Sequence, residues 1–290
     1  MFLYLQYQLV LSCVLNNLIF MKDVKEIVKE KYGKIAEQSD KGKSSCCSSS
    51  CCGPEVNYTV FSENYEKKEG YNPDADLNLG CGIPTDYAGI KKGDHVLDLG
   101  SGAGNDCFVA RAIVGDKGWV TGLDMTEQMI IKARENCMKL KFDNIDFVLG
   151  DIEGMPFENN RFDVLISNCV LNLVPDKSKA FREIFRVLKP GGGFCVSDVV
   201  IKGTLPEKLQ KDAEMYAGCI SGESEMNKYL EIIEESGFSK IKVHKQKGIS
   251  IPEELLAKYL TNNEIISFRK KDKGIFSITV SAQKPASFSN

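Results

Sequence analysis

Residues 95–106 read HVLDLGSGAGND, and this stretch decides the fold. His95 to Leu99 is a short apolar run that ends in glycines, the signature of a buried strand rather than a half-solvated one. Glycines at 100, 102 and 104 let the backbone turn sharply and approach a ligand closely. A helix is predicted to follow over 106–114. In an open parallel sheet the ligand crevice lies outside the carboxyl ends of the strands, where such a loop sits. The dinucleotide fingerprint G-x-G-x-x-G/A would put its third small residue at position 105, where Asn105 stands, so a pyrophosphate cradle is not offered. No Gly-Lys-Ser/Thr follows, which excludes a Walker-type phosphate loop. Asp124, about twenty residues past the glycines, ends the next strand, where a carboxylate accepts from ribose hydroxyls. Its structural alternative is a helix N-cap. Loop and acid together point to a nucleoside ligand.

Working outward, strand and helix patterns alternate. Strands are predicted over 119–124, 145–149, 162–167 and 194–200, and helices over 126–141 and 177–188. In the last helix Phe181, Ile184, Phe185 and Leu188 recur at i, i+3, i+4 and i+7, and Lys189-Pro190-Gly191-Gly192-Gly193 stops it. Such alternation implies right-handed crossovers and an α/β fold, a Rossmann-like, mostly parallel sheet with helices on both faces. Beyond it Thr204-x-x-Glu207 is a capping box opening a helix toward Cys219. A helix over 226–236, a strand over 240–246, a helix over 252–260 and a strand over 276–282 form a C-terminal α+β extension. Asp151 and Ile152, after the third strand, are expected over an adenine, the acid toward its amine and the isoleucine on its face.

Composition narrows the function. Thirty-seven Lys plus Arg against 40 Asp plus Glu leave a net charge of −3, which excludes a nucleic-acid binder with a broadly basic surface. Apolar content of 43% excludes wholesale disorder. Eleven cysteines stand beside two histidines. An odd count over a chain of this length is a poor disulfide framework. Cys46, Cys47, Cys51 and Cys52 form a C-C-x3-C-C cluster that fits no zinc-ligand spacing; a solvated Ser-rich linker and a redox or metalloid role both remain open. Residues 1–21 carry no charge, lack a signal peptide's basic start, and are interrupted by Gln6, Gln8, Ser12, Asn16 and Asn17. Met21 is expected to be the biological start, with a membrane anchor as the alternative. The expected organisation is 1–21 as leader, 22–53 as N-terminal helix and Cys-rich linker, 54–200 as cofactor-binding domain and 201–290 as C-terminal region, in a cytoplasmic protein.

The stretches DLGSGAGNDC, GLDMT, LGDIEGMPF, FDVLISNCV and FREIFRVLKPGGGF resemble class I S-adenosylmethionine-dependent methyltransferases. More narrowly, LNLGCG around Cys81, SNCV around Cys169 and YAGCISG around Cys219 resemble the arsenite methyltransferases, over roughly residues 55 to 250. The resemblance implies the class I methyltransferase fold and S-adenosylmethionine held by Asp98, Gly100, Ser101, Gly102, Gly104, Asp124, Met125, Asp151, Ile152 and Asn168, the last with a strand-end cap as its alternative. It implies a trithiolate of Cys81, Cys169 and Cys219 around trivalent arsenic, taken as arsenite or its thiol conjugates. A fourth cysteine in disulfide exchange matches Cys52 best by position, with Cys46, Cys47 and Cys51 as competitors. A thiol reductant such as glutathione or thioredoxin is implied as well.

Soft trivalent arsenic prefers thiolate sulfur, and its lone pair has no proton to lose, so no general base is needed. The two histidines, His95 and His244, are therefore expected to be structural. Because a cationic sulfonium becomes neutral on transfer, a site poor in buried negative charge is expected. Cys107, Cys137 and Cys195 lie inside predicted helices or strands and read as small buried hydrophobes. The rivals are a quinone-type methyltransferase, which would need a base, and a non-catalytic thiol protein binding soft metals, which would need no nucleoside pocket. No nucleic-acid or membrane partner is expected, and the protein is expected to be a monomer.

Overall fold

The computed structural model describes residues 25–39, 63–203, 225–250, 253–258, 260–270 and 274–286. Within them, helix α1 covers residues 25–39, and the alternating portion runs β1 (His95–Leu99), α2 (Asn105–Val114), β2 (Trp119–Asp124), α3 (Glu127–Leu140), β3 (Ile145–Leu149), β4 (Phe162–Asn168), α4 (Lys177–Val187) and β5 (Leu188–Lys202). It is followed by α5 (Met226–Glu235), β6 (Ser239–Ile249), α6 (Glu253–Ala257), α7 (Asn262–Lys270) and β7 (Gly274–Gln283). One seven-stranded sheet results, ordered β3-β2-β1-β4-β5-β7-β6. Strands β1 to β5 pair in parallel, and β7 lies antiparallel to both β5 and β6. This is the class I methyltransferase fold.

The two-residue period of a strand divides the core. Leu97, Leu99, Leu123, Leu165, Val196 and Val200 meet Phe181, Ile184, Tyr229 and Ile233 of α4 and α5 on one face. Val96, Val120, Val164 and Ile166 meet Cys107, Phe108, Ile130 and Ala133 of α2 and α3 on the other. Successive residues of β1 therefore serve opposite layers. In α4, Ala180, Phe181, Ile184 and Val187 are all fully buried, and each of the larger three contributes about 1.5–3 kcal/mol by leaving water. Asp176 caps that helix by accepting from Lys179 N at 2.9 Å.

Three local expectations change. Strand β5 starts at Leu188 instead of 194, because Leu188 pairs with Phe162 and the glycine run forms an irregularity before Gly193 pairs with Val164. Helix α7 was not expected, and α6 is shorter than the predicted 252–260. Strands β6 and β7, expected in a C-terminal α+β extension, continue the main sheet. The predicted helix over 204–219, the leader and the cysteine-rich linker lie outside the described residues. Among the described residues no helix is long and apolar enough to cross a membrane.

Candidate functional site

The loop between β1 and α2 is built for close approach. Gly100, Gly102 and Gly104 have φ of 65°, 52° and 99°, the left-handed region that side chains resist. A Cβ on Gly100 would overlap the Val170 side chain, whereas Gly102 faces open space. Asp124 at the end of β2 fastens the loop, accepting from Gly102 N at 3.0 Å and from Thr126 N at 2.8 Å. It thus both ends its strand and caps the following turn. Ser101 Oγ and Asn105 Oδ1 are buried without a hydrogen-bond partner. Buried polar atoms are nearly always satisfied, so two unsatisfied ones on a glycine loop fit a polar ligand there.

These residues wall a cleft of about 1180 Å³, counting its open mouth. Asp98, Gly100, Ser101, Gly102, Asp124, Met125, Asp151, Ile152, Asn168 and Cys169 all line it. Gly104 does not: it precedes α2 as N-cap, and a Cβ there would press on the rings of Phe147 and Phe108 at 2.9 and 3.0 Å. Its lack of a side chain is explained by aromatic packing. Helix α1 contributes Lys25, Val28 and Tyr32 to the wall, which no local pattern announced. Lys25 Nζ pairs with Asp151 Oδ2 at 2.6 Å and with Glu153. Burial alone would raise Asp151, but Lys25 and the Glu153 N–H bring its carboxyl below the usual range. The acid expected at an adenine amine is thus engaged by a lysine from the N-terminal helix.

A site poor in negative charge is expected, and the three buried acids that wall the cleft are each shifted by burial toward the uncharged form. Asp98 lies on β1 facing α2, where Cys107 Sγ donates to its Oδ2 at 3.2 Å. Burial, with Asp106 nearby, raises Asp98 well above the carboxylate range. Asp106, in the first turn of α2, is pushed up to about 6 by burial, against hydrogen bonds from Tyr65 and Asn168. Burial raises Asp124 too, although the N–H groups of Thr126 and Gly102 oppose it. A cation entering the cleft would lower all three. Cys107, Cys137 and Cys195 are buried as expected, with Cys107 doing more than filling space.

Cys169 follows β4 at the cleft rim, 7% exposed, with φ of 60°. That conformation is rare outside glycine and costs of order 1–3 kcal/mol. It is held by Cys169 N donating to Ser197 O at 2.7 Å. Cys81 is 1% exposed, and its loop is tied to the same place. Its N–H donates to the Asn168 side chain at 3.0 Å, and its carbonyl accepts from Ser277 Oγ of β7 at 2.6 Å. Both cysteines are thiols. The structure therefore brings two of the expected thiols to one end of the sheet across 88 residues of sequence. Cys219 and Cys52 lie outside the described residues, and among the described residues no three Cys, His, Asp or Glu side chains gather as metal ligands.

Below these loops, Tyr229 of α5 donates to Asp198 Oδ2 of β5 at 3.0 Å. Burial pushes Asp198 up to about 7, against the Lys177 charge, the Tyr229 hydroxyl and the N–H groups of Val199 and Asn172. His244 stacks on Tyr87 at 4.7 Å and bonds Ser281 at 2.7 Å, and His95 opens β1 with its side chain toward solvent. Neither lines the cleft.

A family model described as a methyltransferase domain matches residues 90–237. An arsenite methyltransferase of Halobacterium salinarum is 35% identical over 278 residues, covering 91% of this chain and 68% of its own. One from Aquipseudomonas alcaligenes is 32% identical over 243 residues, covering 81% and 68%. Among solved structures, an arsenic (III) S-adenosylmethionine methyltransferase from Chlamydomonas reinhardtii matches with a TM-score of 0.59 and 30% identity, covering 82% of this chain and 75% of that one.

Proposed function

This chain belongs to the arsenite methyltransferase family, and from that premise we propose the division of labour in its site. It is an S-adenosylmethionine-dependent methyltransferase acting on arsenite. Cys81, Cys169 and Cys219 hold trivalent arsenic as thiolates, because soft arsenic favours sulfur over the oxygen ligands of water. The observation that carries this reading is the tethering of the Cys81 loop to the residue preceding Cys169, at the rim of the cofactor cleft.

The glycine loop and its neighbours hold the cofactor. Asp124 would accept from ribose hydroxyls, Ile152 and Met125 would pack on the base, and Ser101 Oγ and Asn105 Oδ1 would find in the cofactor the partners that the described residues do not give them. Bound there, S-adenosylmethionine supplies a methyl carbon on a cationic sulfonium. The buried carboxyls of Asp98, Asp106 and Asp124 favour that cation, so they contribute binding more than rate. Rate comes from placement: holding two reactants in near-attack geometry supplies on the order of 7–11 kcal/mol. With the cofactor bound, its methyl group would pass to the arsenic lone pair and S-adenosylhomocysteine would leave, so the residues of this chain have no proton to remove. Cys52, or one of Cys46, Cys47 and Cys51, exchanges disulfides with a thiol reductant of the glutathione or thioredoxin type, in the cytoplasm, with the chain as a monomer.

Incubation with arsenite, a thiol reductant and S-adenosylmethionine, followed by arsenic speciation, tests the reading. Methylated arsenic is expected. Cys169→Ser and Cys219→Ser should each abolish it while equilibrium dialysis still finds S-adenosylmethionine bound. Full turnover in either variant removes the trithiolate.

A further inference from the structure

Asn168 stands between the strand that delivers Cys169 and the loop that carries Cys81, and its side-chain amide has every atom engaged. Its Oδ1 accepts from Cys81 N at 3.0 Å and from Gly82 N at 3.3 Å. Its Nδ2 lies 2.8 Å from Gly82 O, 2.9 Å from the Tyr65 hydroxyl and 3.1 Å from Asp106 Oδ2. An amide that reads both an N–H and a C=O of one short loop fixes that loop's position and orientation together. The glycines flanking Cys81 agree. A Cβ on Gly80 would come within 2.6 Å of Asn168 Nδ2, and one on Gly82 would overlap Ser197 Oγ. The Gly-Cys-Gly sequence is thus shaped for contact with Asn168 and with the strand residue whose carbonyl holds Cys169 N.

We infer that Asn168 is a positioning residue for the substrate thiols: it sets the separation of Cys81 from Cys169 by gripping the Cys81–Gly82 backbone, and Tyr65 and Asp106 hold its amide in orientation. This deepens the functional reading and rests on it. Although Asn168 touches the cleft wall, its Oδ1 is spent on the thiol loop and its Nδ2 is shared among that loop, Tyr65 and Asp106, so it acts on the arsenic site more than on the cofactor. Tyr65 is held by the same network, its hydroxyl 2.7 Å from Asp106 Oδ1 and 3.0 Å from Gly82 O. Asp106 sits directly after the glycine loop, so the brace connects the two halves of the site through three side chains.

The full-length protein is titrated with arsenite, at less than one equivalent, and separately with S-adenosylmethionine. Arsenic X-ray absorption counts the sulfurs around the bound metalloid. The unsubstituted chain is expected to show three sulfurs, and Asn168→Ala to show two, matching Cys81→Ser. Arsenite affinity should fall about tenfold, the equivalent of one net hydrogen bond, while S-adenosylmethionine affinity stays within about twofold, less than half that free energy. Tyr65→Phe removes one hydroxyl and almost no volume, so it covers the case in which Asn168→Ala does not fold; its arsenite affinity should fall about threefold, with cofactor affinity kept. Three sulfurs retained in Asn168→Ala at unchanged arsenite affinity would overturn the inference and leave the family's function standing. So would equal losses for both ligands in the two variants, the mark of a general structural role. An unsubstituted chain that takes up no arsenite through sulfur overturns the functional reading first, and the inference with it.

Discussion

Replacing Tyr229 with phenylalanine removes one buried hydroxyl, and its cost should depend on pH. Tyr229 is fully buried, and its donor reaches Asp198 Oδ2 at 3.0 Å. Asp198, 1% exposed, has its folded pKa raised to about 7 by burial, against an unfolded value near 3.9. The folded protein therefore binds this proton more tightly than the unfolded chain. The carboxyl's share of stability is complete below about pH 3.9, the unfolded value, and is lost progressively as pH climbs from there through about 7. At pH 8.5 the hydroxyl serves a carboxylate, an interaction of about 1.5–3 kcal/mol; at pH 5.5 it serves a neutral acid, about 0.5–1.5 kcal/mol. Tyr229→Phe should thus cost roughly 1–1.5 kcal/mol more in alkali than in acid, the difference between those ranges. Urea unfolding of both proteins at the two pH values, with fixed ionic strength, measures it as the shift in midpoint. Equal losses at both would mean that Asp198 keeps one protonation state across this range, and a larger loss in acid would mean that the hydroxyl does not favour the carboxylate; either result overturns the prediction.

Gly82→Ala would drive a methyl into Ser197 Oγ, which Thr279 already holds at 2.9 Å. A stability loss of about 1–3 kcal/mol is expected, with arsenite affinity reduced and cofactor affinity preserved in parallel titrations. Lys25→Ala leaves the buried Glu153 carboxyl without its cation as well as freeing the half-exposed Asp151, and a stability loss of about 1.5–3 kcal/mol is expected for the lost charge-assisted hydrogen bond. It should still weaken S-adenosylmethionine binding by a few fold because α1 walls the cleft; unchanged affinity would make α1 a bystander. Gly100→Ala combines an unfavourable φ with overlap on Val170, and dialysis should find cofactor binding lost.

Much of the sheet was legible because its rules are local. The apolar run of β1, the glycines after it and the four-residue rhythm of α4 each announce their element without knowledge of neighbours. The placement of β7 between β5 and β6 was not legible, since two strands of similar pattern carry no mark of which one pairs with β5. The cleft wall from Asp98 to Ile152 was legible from one loop and the strand ends beside it. Missed were the residues that arrive by tertiary packing: Lys25 and Tyr32 on α1, and Tyr65 in an irregular segment. Asp106 could have been noticed as an acid directly behind the glycine loop. Next to Cys169, Asn168 reads as a cofactor contact or a strand-end cap; it does line the cleft, and only the fold reveals that a loop 86 residues earlier also occupies its amide.

The grip of Ser277 on the Cys81 carbonyl spans 196 residues, and it gives the site a birth order. A ribosome adds roughly 5–20 residues each second, so about 10 to 40 seconds separate the synthesis of Cys81 from that of the strand that seats it. For that interval the thiol belongs to a nascent chain, without its final brace. On the proposed trithiolate, arsenite present during synthesis would meet these cysteines one at a time before it meets them as a set. Methylating capacity would then depend on how quickly each new chain is finished, as well as on how fast a finished one turns over.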